Sequence, residues 1–154
     1  MTCPAVGEEA PGFSLVGTGG KAYDLSECRG APVVLVFYPG DDTPVCTQQL
    51  RTYSGDLSEF EEVGATVWAI SPQDVQSHER FAAKRSLRMP LLADTDRTVG
   101  RAYGVLGPVG FYRRSVFVLD GSGVLRYAHR AVAGLTFRPI SELVRVVRAT
   151  QVAT

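Results

Sequence analysis

Four stretches of the chain have the apolar pattern of β-strands. Residues 31–39 and 65–71 are nearly continuous runs of apolar side chains, many of them β-branched, which is typical of strands buried on both faces. Residues 14–25 contain two short strand-like pieces around a glycine-rich turn, and residues 115–129 contain two alternating runs around Asp-Gly-Ser-Gly. The last two stretches therefore predict β-hairpins, one near the N-terminus and one late in the chain.

Helical periodicity begins at Thr43, shortly after the first buried run. Apolar side chains then recur at intervals of three and four residues, at Leu50, Tyr53, Leu57 and Phe60. This spacing is the stripe of an amphipathic helix. We expect Gly64 to close the helix and the Ser54-Gly55 pair to bend it.

Three more helices are predicted downstream. After the second buried run, Ser71 has the properties of an N-cap and Pro72 those of a first helical residue. A short helix follows, capped by Asp94 and stopped by Gly104. Residues 138–149 form the pattern of a closing helix with one apolar face.

The order of these elements predicts the fold. A hairpin, then βαβα, a short helix and a final ββα is the arrangement of the thioredoxin fold. The chain has 154 residues, which is long enough for one full core. We therefore expect a single α/β domain over residues 1–154, with a mixed central sheet, helices on both faces and an N-terminal β-hairpin extension.

Composition and charge exclude several classes of function. The chain is 45% hydrophobic and 21% charged, and its formal net charge is zero, which favours neither nucleic acid nor an anionic membrane as a partner. No basic stretch followed by an apolar segment opens the sequence, and no run approaches ~18 consecutive apolar residues. We therefore expect a cytoplasmic protein without a membrane or nucleic-acid partner.

The cysteines point to thiol chemistry and not to cross-links. There are three, Cys3, Cys28 and Cys46, an odd number without CxxC spacing, which argues against a disulfide framework and against a zinc site. No pattern predicts a cofactor or a metal. In a reducing compartment each thiol is then either inert and buried or reactive.

Cys46 has the position of a reactive thiol. If Thr43 caps the helix and Pro44 is its first residue, Cys46 is the third, and its backbone N–H has no partner within the helix. Unpaired N–H groups and the helix dipole favour an anion there, and a thiolate is such an anion. A small buried hydrophobe is the alternative, since free cysteine is among the most buried residue types.

Ionisation alone gives such a thiol a limited advantage. A thiol of ordinary pKa, ~8.5, is ~3% ionised at pH 7. Complete ionisation therefore raises the reactive fraction by at most ~30-fold, or roughly 2 kcal/mol. The remainder must come from placing and polarising the substrate. The Thr43 hydroxyl, the N–H groups of Val45 and Cys46, and an arginine from elsewhere in the chain are candidates for this role.

The stretch FYPGDDTPVCTQQL, residues 37–50, resembles the active-site loop of the peroxiredoxins, the alkyl hydroperoxide reductase/thiol-specific antioxidant family. Their Pro-x-x-x-Thr-x-x-Cys motif falls on Pro39, Thr43 and Cys46. Within the family, the residues around this motif are most similar to the bacterioferritin comigratory protein or Q-type branch. The resemblance continues, in the family's order, through three further segments, residues 7–30, 70–105 and 113–129.

This resemblance implies a thiol-dependent peroxidase that reduces hydrogen peroxide and organic hydroperoxides. Cys46 would be the peroxidatic nucleophile, oxidised to a sulfenic acid. Thr43 would hydrogen-bond the thiolate or place the peroxide, and Pro39 would shield the site from water. The family's Arg-x-x-Phe pattern selects Arg114, whose guanidinium would hold the thiolate and the developing negative charge. Because strand alternation sends neighbours to opposite faces, Arg113 would be a solvated surface charge.

The resemblance is incomplete at the resolving cysteine. Many Q-type relatives carry it five residues after the peroxidatic cysteine, where this chain has Arg51. Cys28 stands where relatives tend to have a packed aromatic residue, which favours core packing over a resolving role. Cys3, near the terminus, would reach at most a partner subunit. The most economical mechanism is one-Cys, in a monomer or homodimer, with thioredoxin or a low-molecular-weight thiol as the external reductant.

Other interpretations stay open. His78 and His129 suggest a Cys–His pair, but their surroundings favour surface or structural histidines, and Trp68 is expected in the sheet core. One alternative function is a peroxide-sensing redox module that passes oxidation to a protein partner. Another is a thioredoxin-like disulfide reductase, which the absence of CxxC disfavours.

Overall fold

The computed structural model describes residues 4–41, 43–107, 110–131 and 137–152. Its strands are β1 (Ser14–Val16), β2 (Ala22–Asp24), β3 (Val33–Phe37), β4 (Thr66–Ser71), β5 (Leu91–Ala93), β6 (Ser115–Leu119) and β7 (Leu125–Arg130). Its α-helices are α1 (Pro44–Gly55), α2 (Leu57–Glu62), α3 (Val75–Arg85), α4 (Thr98–Ala102) and α5 (Ile140–Val152). Two short 3₁₀ helices cover Thr18–Gly20 and Leu25–Cys28.

The central sheet is mixed, with strand order β5-β4-β3-β6-β7. Strands β3, β4 and β5 are parallel, whereas β6 runs antiparallel to β3 and β7 antiparallel to β6. Strands β1 and β2 form a separate antiparallel hairpin. Every side chain of β3 is buried, as its continuous apolar run predicts for a central strand. Both predicted hairpins are confirmed.

Alternation along the strands divides the core into two layers. The layer under α1, α2, α3 and α5 includes Val34, Val36, Cys46, Leu50, Tyr53, Phe60, Phe81 and Leu143. The layer under α4 and the N-terminal hairpin includes Val33, Leu35, Phe37, Trp68, Ile70, Val99 and Phe117. Helices therefore cover both faces of the sheet, as predicted.

The first long helix is interrupted at the position where a bend was predicted. Helix α1 ends at Gly55, and α2 begins at Leu57 after the non-helical residue Asp56. Gly64 follows α2 with a φ of 73°, a left-handed conformation that glycine adopts without strain.

The start predicted for the next helix was wrong. Ser71 is the last residue of β4, where it pairs with Ala93, and residues 72–74 after it are not helical. Helix α3 starts at Val75, and Asp74 is its cap, with a carboxylate that accepts the N–H of Ser77 at 2.8 Å.

Helix α4 begins later than its capping pattern suggests. Its first residue is Thr98, yet the Asp94 carboxylate still accepts the N–H groups of Val99 and Gly100, at 3.1 and 2.8 Å. Gly104 follows the helix with a φ of 73°. Within the described ranges, no helix is long and apolar enough to cross a membrane.

Candidate active site

Cys46 lies at the beginning of α1, where the sequence places it. Thr43 is the N-cap and Pro44 the first helical residue, and the N–H of Thr47 donates to the Thr43 carbonyl at 2.8 Å. The Cys46 side chain is completely buried, in the core layer on the α1 side of the sheet. The thiol therefore occupies a dry position at the positive end of a helix.

Arg114 contacts this thiol directly. Its Nη2 donates to Cys46 Sγ at 3.3 Å, and its Nη1 donates to Gln49 Oε1 at 2.6 Å. Only 4% of Arg114 is exposed, whereas Arg113 is exposed to solvent. The two neighbouring side chains, which lie just before β6, therefore differ in burial, and it is Arg114 that contacts the thiol. A fixed guanidinium at this distance stabilises a thiolate and charge that develops beside it.

Gln49 is a residue of the site that the sequence analysis did not identify. It is fully buried, one helical turn after Cys46, and its amide oxygen holds the Arg114 guanidinium. Because the amide is neutral, it orients the guanidinium without cancelling its charge. Two signals pointed to it: the three-residue spacing places Gln49 beside Cys46 on α1, and a polar residue on a buried helix face needs a partner.

Thr43 and Pro39 lie in the segment before α1. The Thr43 hydroxyl donates to the Gly40 carbonyl at 3.2 Å, which closes the turn that leads into the helix. Pro39 is half-buried, two residues after the end of β3. Their roles toward the thiolate, the peroxide and water remain predictions.

Asp41, in the same segment, is the centre of a buried hydrogen-bond network. Its carboxylate accepts from the Tyr38 hydroxyl at 2.6 Å and the Ser77 hydroxyl at 2.7 Å, and lies 2.8 Å from His78 Nδ1. Its N–H donates to Gln73 Oε1 at 3.1 Å. Burial would raise the pKa of Asp41, but hydrogen bonds from His78, Ser77 and Tyr38 outweigh it and hold the pKa below its ordinary value.

The two histidines have different surroundings. His78 is completely buried on α3, so the structural alternative is confirmed and the surface alternative is wrong for this residue. His129 is half-buried in β7. Trp68 lies in the sheet core, as predicted, with edge contacts to Phe13 and Tyr23.

Cys28 is separated from Cys46 by the sheet. It ends a 3₁₀ helix just before β3 and packs against the layer on the opposite face from Cys46. Strand β3, Val33–Phe37, lies between them in the chain and spans about 15 Å. A disulfide requires Cα atoms within about 7 Å, and the position of the two thiols on opposite faces of the sheet disfavours one. Burial, and then the charges of Glu27 and Asp24, raise the pKa of the Cys28 thiol.

Neither a resolving cysteine nor a metal site is found near Cys46 among the described residues. Arg51 is exposed on α1. Cys3 lies outside the described residues. Within the part of the chain that the structure describes, no three His, Cys, Asp or Glu side chains form a cluster that would hold a metal ion.

The fold is thioredoxin-like, and a buried cysteine at a helix start is hydrogen-bonded by an arginine. These features define a class of thiol proteins, and the sequence comparisons show which family within that class the chain belongs to. Residues 6–128 match the AhpC/TSA family, and the chain therefore belongs to that family. Within it, the chain is similar to a putative chloroplastic peroxiredoxin Q of Oryza sativa subsp. indica, with 38% identity over 127 residues. That match covers 80% of this chain but 58% of the plant protein, so the chain spans little more than half of that relative.

A bacterial relative is matched over more of its length. A putative peroxiredoxin bcp of Helicobacter pylori is 38% identical over 127 residues, a match that covers 78% of this chain and 84% of the relative. The resemblance to the bacterioferritin comigratory protein and Q-type branch is thereby confirmed.

Solved structures confirm the fold. Peroxiredoxin Q of Xanthomonas campestris superposes with a TM-score of 0.78 at 30% identity, over 91% of this chain and 90% of that chain. The bacterioferritin comigratory protein of the same organism, which was studied for its alkyl peroxide reduction activity, gives 0.81 at 28% identity, over 97% and 99%. Mycobacterium bovis AhpC gives 0.87 at 25% identity, over 100% and 96%.

Proposed function

We propose that this chain is a thiol-dependent peroxidase whose nucleophile is Cys46. The observation that carries the proposal is the 3.3 Å hydrogen bond from Arg114 Nη2 to the buried Cys46 sulfur. The thiolate attacks one peroxide oxygen, the O–O bond breaks, and water or an alcohol leaves after taking up a proton. Cys46 is left as a sulfenic acid. Arg114 stabilises both the thiolate and the negative charge on the leaving oxygen.

Hydrogen peroxide and organic hydroperoxides are the proposed substrates. The studied alkyl peroxide reduction of the Xanthomonas campestris relative supports the second class. Thr43 would place the peroxide and Pro39 would exclude water, since both lie in the segment that leads into α1.

We further propose a one-Cys mechanism with an external thiol reductant. Arg51 stands in the place of a resolving cysteine, and Cys28 lies on the opposite face of the sheet from Cys46. An outside thiol must therefore condense with the sulfenic acid, which forms a mixed disulfide and releases water. A second outside thiol must then attack the mixed disulfide, which returns Cys46 to the thiol and leaves the two outside sulfurs joined as a disulfide. Thioredoxin or a low-molecular-weight thiol would be this reductant. Cytoplasmic location and a monomeric or homodimeric state remain predictions.

The complete burial of Cys46 favours a second candidate, a peroxide-sensing module. A sulfenic acid in a dry site without an internal resolving thiol is reduced slowly by outside thiols, which gives it time to pass oxidation to a protein partner.

Two rates distinguish these functions. The first is single-turnover oxidation of the reduced protein by peroxide, and the second is steady-state peroxide consumption with a thioredoxin system, glutathione or dithiothreitol. Fast oxidation with fast turnover by at least one reductant supports the peroxidase. Fast oxidation with slow turnover by all three supports the sensor. Slow oxidation would contradict both.

A further inference from the structure

Both ring nitrogens of His78 face hydrogen-bond acceptors. Nδ1 is 2.8 Å from Asp41 Oδ2, and Nε2 is 3.0 Å from the carbonyl oxygen of Leu92. The histidine side chain is fully buried and only 3% of the Asp41 side chain is exposed, so water does not replace either partner. Neutral imidazole has one N–H, whereas imidazolium has one on each nitrogen. The doubly protonated ring is therefore the form that satisfies both acceptors.

We propose that His78 is held as an imidazolium and forms a buried ion pair with Asp41. This pair positions the active-site segment, the stretch between β3 and α1 that contains Pro39, Asp41 and Thr43. The proposal rests on the proposed function, because it assigns His78 a role in how Cys46 meets peroxide. His78 does not touch the reacting atoms. It acts through Asp41, which precedes the cap of α1.

The surroundings of the pair show what it fixes. Tyr38, the residue after β3, donates to Asp41 Oδ1, and Ser77 on α3 donates to Oδ2. Burial, and then Asp41, raise the pKa of the Tyr38 hydroxyl well above its ordinary value, so Tyr38 remains a donor. Gln73 accepts the Asp41 N–H and is itself bonded to the Ser71 hydroxyl at 2.5 Å. Asp41 thereby ties the segment to β3, to β4 and to α3.

The path from this anchor to the thiol is short. The Gly40 carbonyl, next to Asp41, accepts from the Thr43 hydroxyl, and Thr43 caps the helix that carries Cys46. If Asp41 loses its charged partner, a carboxylate is left in a dry site, and the segment must move to rehydrate it. Such a movement displaces the start of α1 from Arg114, and displacements near 1 Å lower rates by up to about 10²-fold.

The protonation state has a direct spectroscopic test. The chain has two histidines, so a ¹⁵N-labelled His129→Gln variant leaves His78 as the only imidazole in the spectrum. At neutral pH we expect both His78 ring nitrogens to carry a proton and to resonate in the imidazolium range. One unprotonated ring nitrogen would overturn the ion pair.

The positioning role has a kinetic test in the same protein. His78→Gln and Asp41→Asn should each slow the reaction of Cys46 with hydrogen peroxide by about 10- to 10²-fold. The double variant should be no slower than the slower single variant, because both changes break one interaction. His129→Gln is the matched control and should react like wild type. Single variants with wild-type rates, or additive losses in the double variant, would overturn the positioning role.

A second measurement separates this role from general loss of structure and from failure of the proposed function. In a Cys3→Ser/Cys28→Ser background, iodoacetamide reports the accessibility of Cys46 alone. Both single variants should be alkylated at least several-fold faster than the background, while circular dichroism and cooperative melting stay native-like.

If the background protein does not react with peroxide, the proposed function fails, yet the nitrogen spectrum and the alkylation rates still decide the role of His78. If His78→Gln does not fold, Asp41→Asn carries both tests, and unchanged alkylation in it would overturn the proposal.

Discussion

Arg114 Nη2 donates to Cys46 Sγ at 3.3 Å, although the two residues are 68 positions apart in the chain. The pairing of β3 with β6 explains how they meet. Phe37, the last residue of β3, pairs with Ser115, the first residue of β6, and the two strands are antiparallel. The segment that leaves β3 toward α1 and the residue that enters β6 therefore lie at the same edge of the sheet. One strand pairing brings the thiol and its cation together.

Replacing Arg114 should impair the reaction far more than replacing Arg113. Arg114→Ala removes a charged donor that acts on the transition state, and such losses cost about 10²- to 10³-fold in rate. Arg113→Ala is the matched control, because that side chain is exposed and should leave the rate near wild type. The second-order rate constant for peroxide measures both. Equal losses in the two variants would contradict the assignment of Arg114.

Peroxide should leave a sulfenic acid on Cys46 and no internal disulfide, because the sheet separates Cys28 from Cys46. With one equivalent of peroxide, intact-mass analysis should show one added oxygen, which dimedone traps. With excess peroxide it should show two added oxygens, the sulfinic acid. A stoichiometric loss of two hydrogens, with Cys28 or Cys3 mapped to Cys46, would make that residue the resolving cysteine.

Acid should remove a stabilising contact between β7 and the start of α5. Glu142 accepts from Arg138 Nε at 2.7 Å and from the Tyr127 hydroxyl at 2.6 Å. Arg138, and then Tyr127, lower the pKa of Glu142 to about 2. Since the pKa in the unfolded chain is higher, this stabilisation is complete above the unfolded value and is lost as the pH falls toward 2.

The variant Glu142→Gln should therefore have a lower free energy of unfolding than wild type at pH 7, and the difference should close as the pH approaches 2. Added salt should reduce it, since the ion pair is partly exposed. Glu61→Gln, which breaks the more exposed pair with Arg88, is the control and should change little at either pH. A constant difference for Glu142→Gln between pH 7 and pH 2 would contradict this origin.

Local patterns predicted much of the fold and of the site. The continuous apolar run before Pro39 predicted the central strand, because it is short, rich in β-branched residues and without a polar face. A two-residue period distinguished Arg114 from Arg113, and in the structure Arg114 is the one that is buried against Cys46. The position of Cys46 followed from Thr43 and Pro44, whose preferences at a helix start are local.

Local sequence patterns could not predict contacts between segments that are distant in the chain. Ser71 looked like a helix cap, but it pairs with Ala93 at the end of β4, and α3 starts only at Val75. His78 and Asp41 meet across 37 positions, through the packing of α3 against the sheet. Gln49 was missed although it lies near Cys46, because its partner Arg114 is 65 positions away in the chain.

The central claim is that Cys46 is the peroxidatic nucleophile. The most direct measurement compares peroxide consumption, with an excess of a working thiol reductant, by wild type and three variants, Cys46→Ser, Cys28→Ser and Cys3→Ser. Each protein is first shown to be folded by circular dichroism. Consumption should vanish in Cys46→Ser and stay close to wild type in Cys28→Ser and Cys3→Ser. Substantial thiol-dependent consumption by Cys46→Ser would contradict the claim.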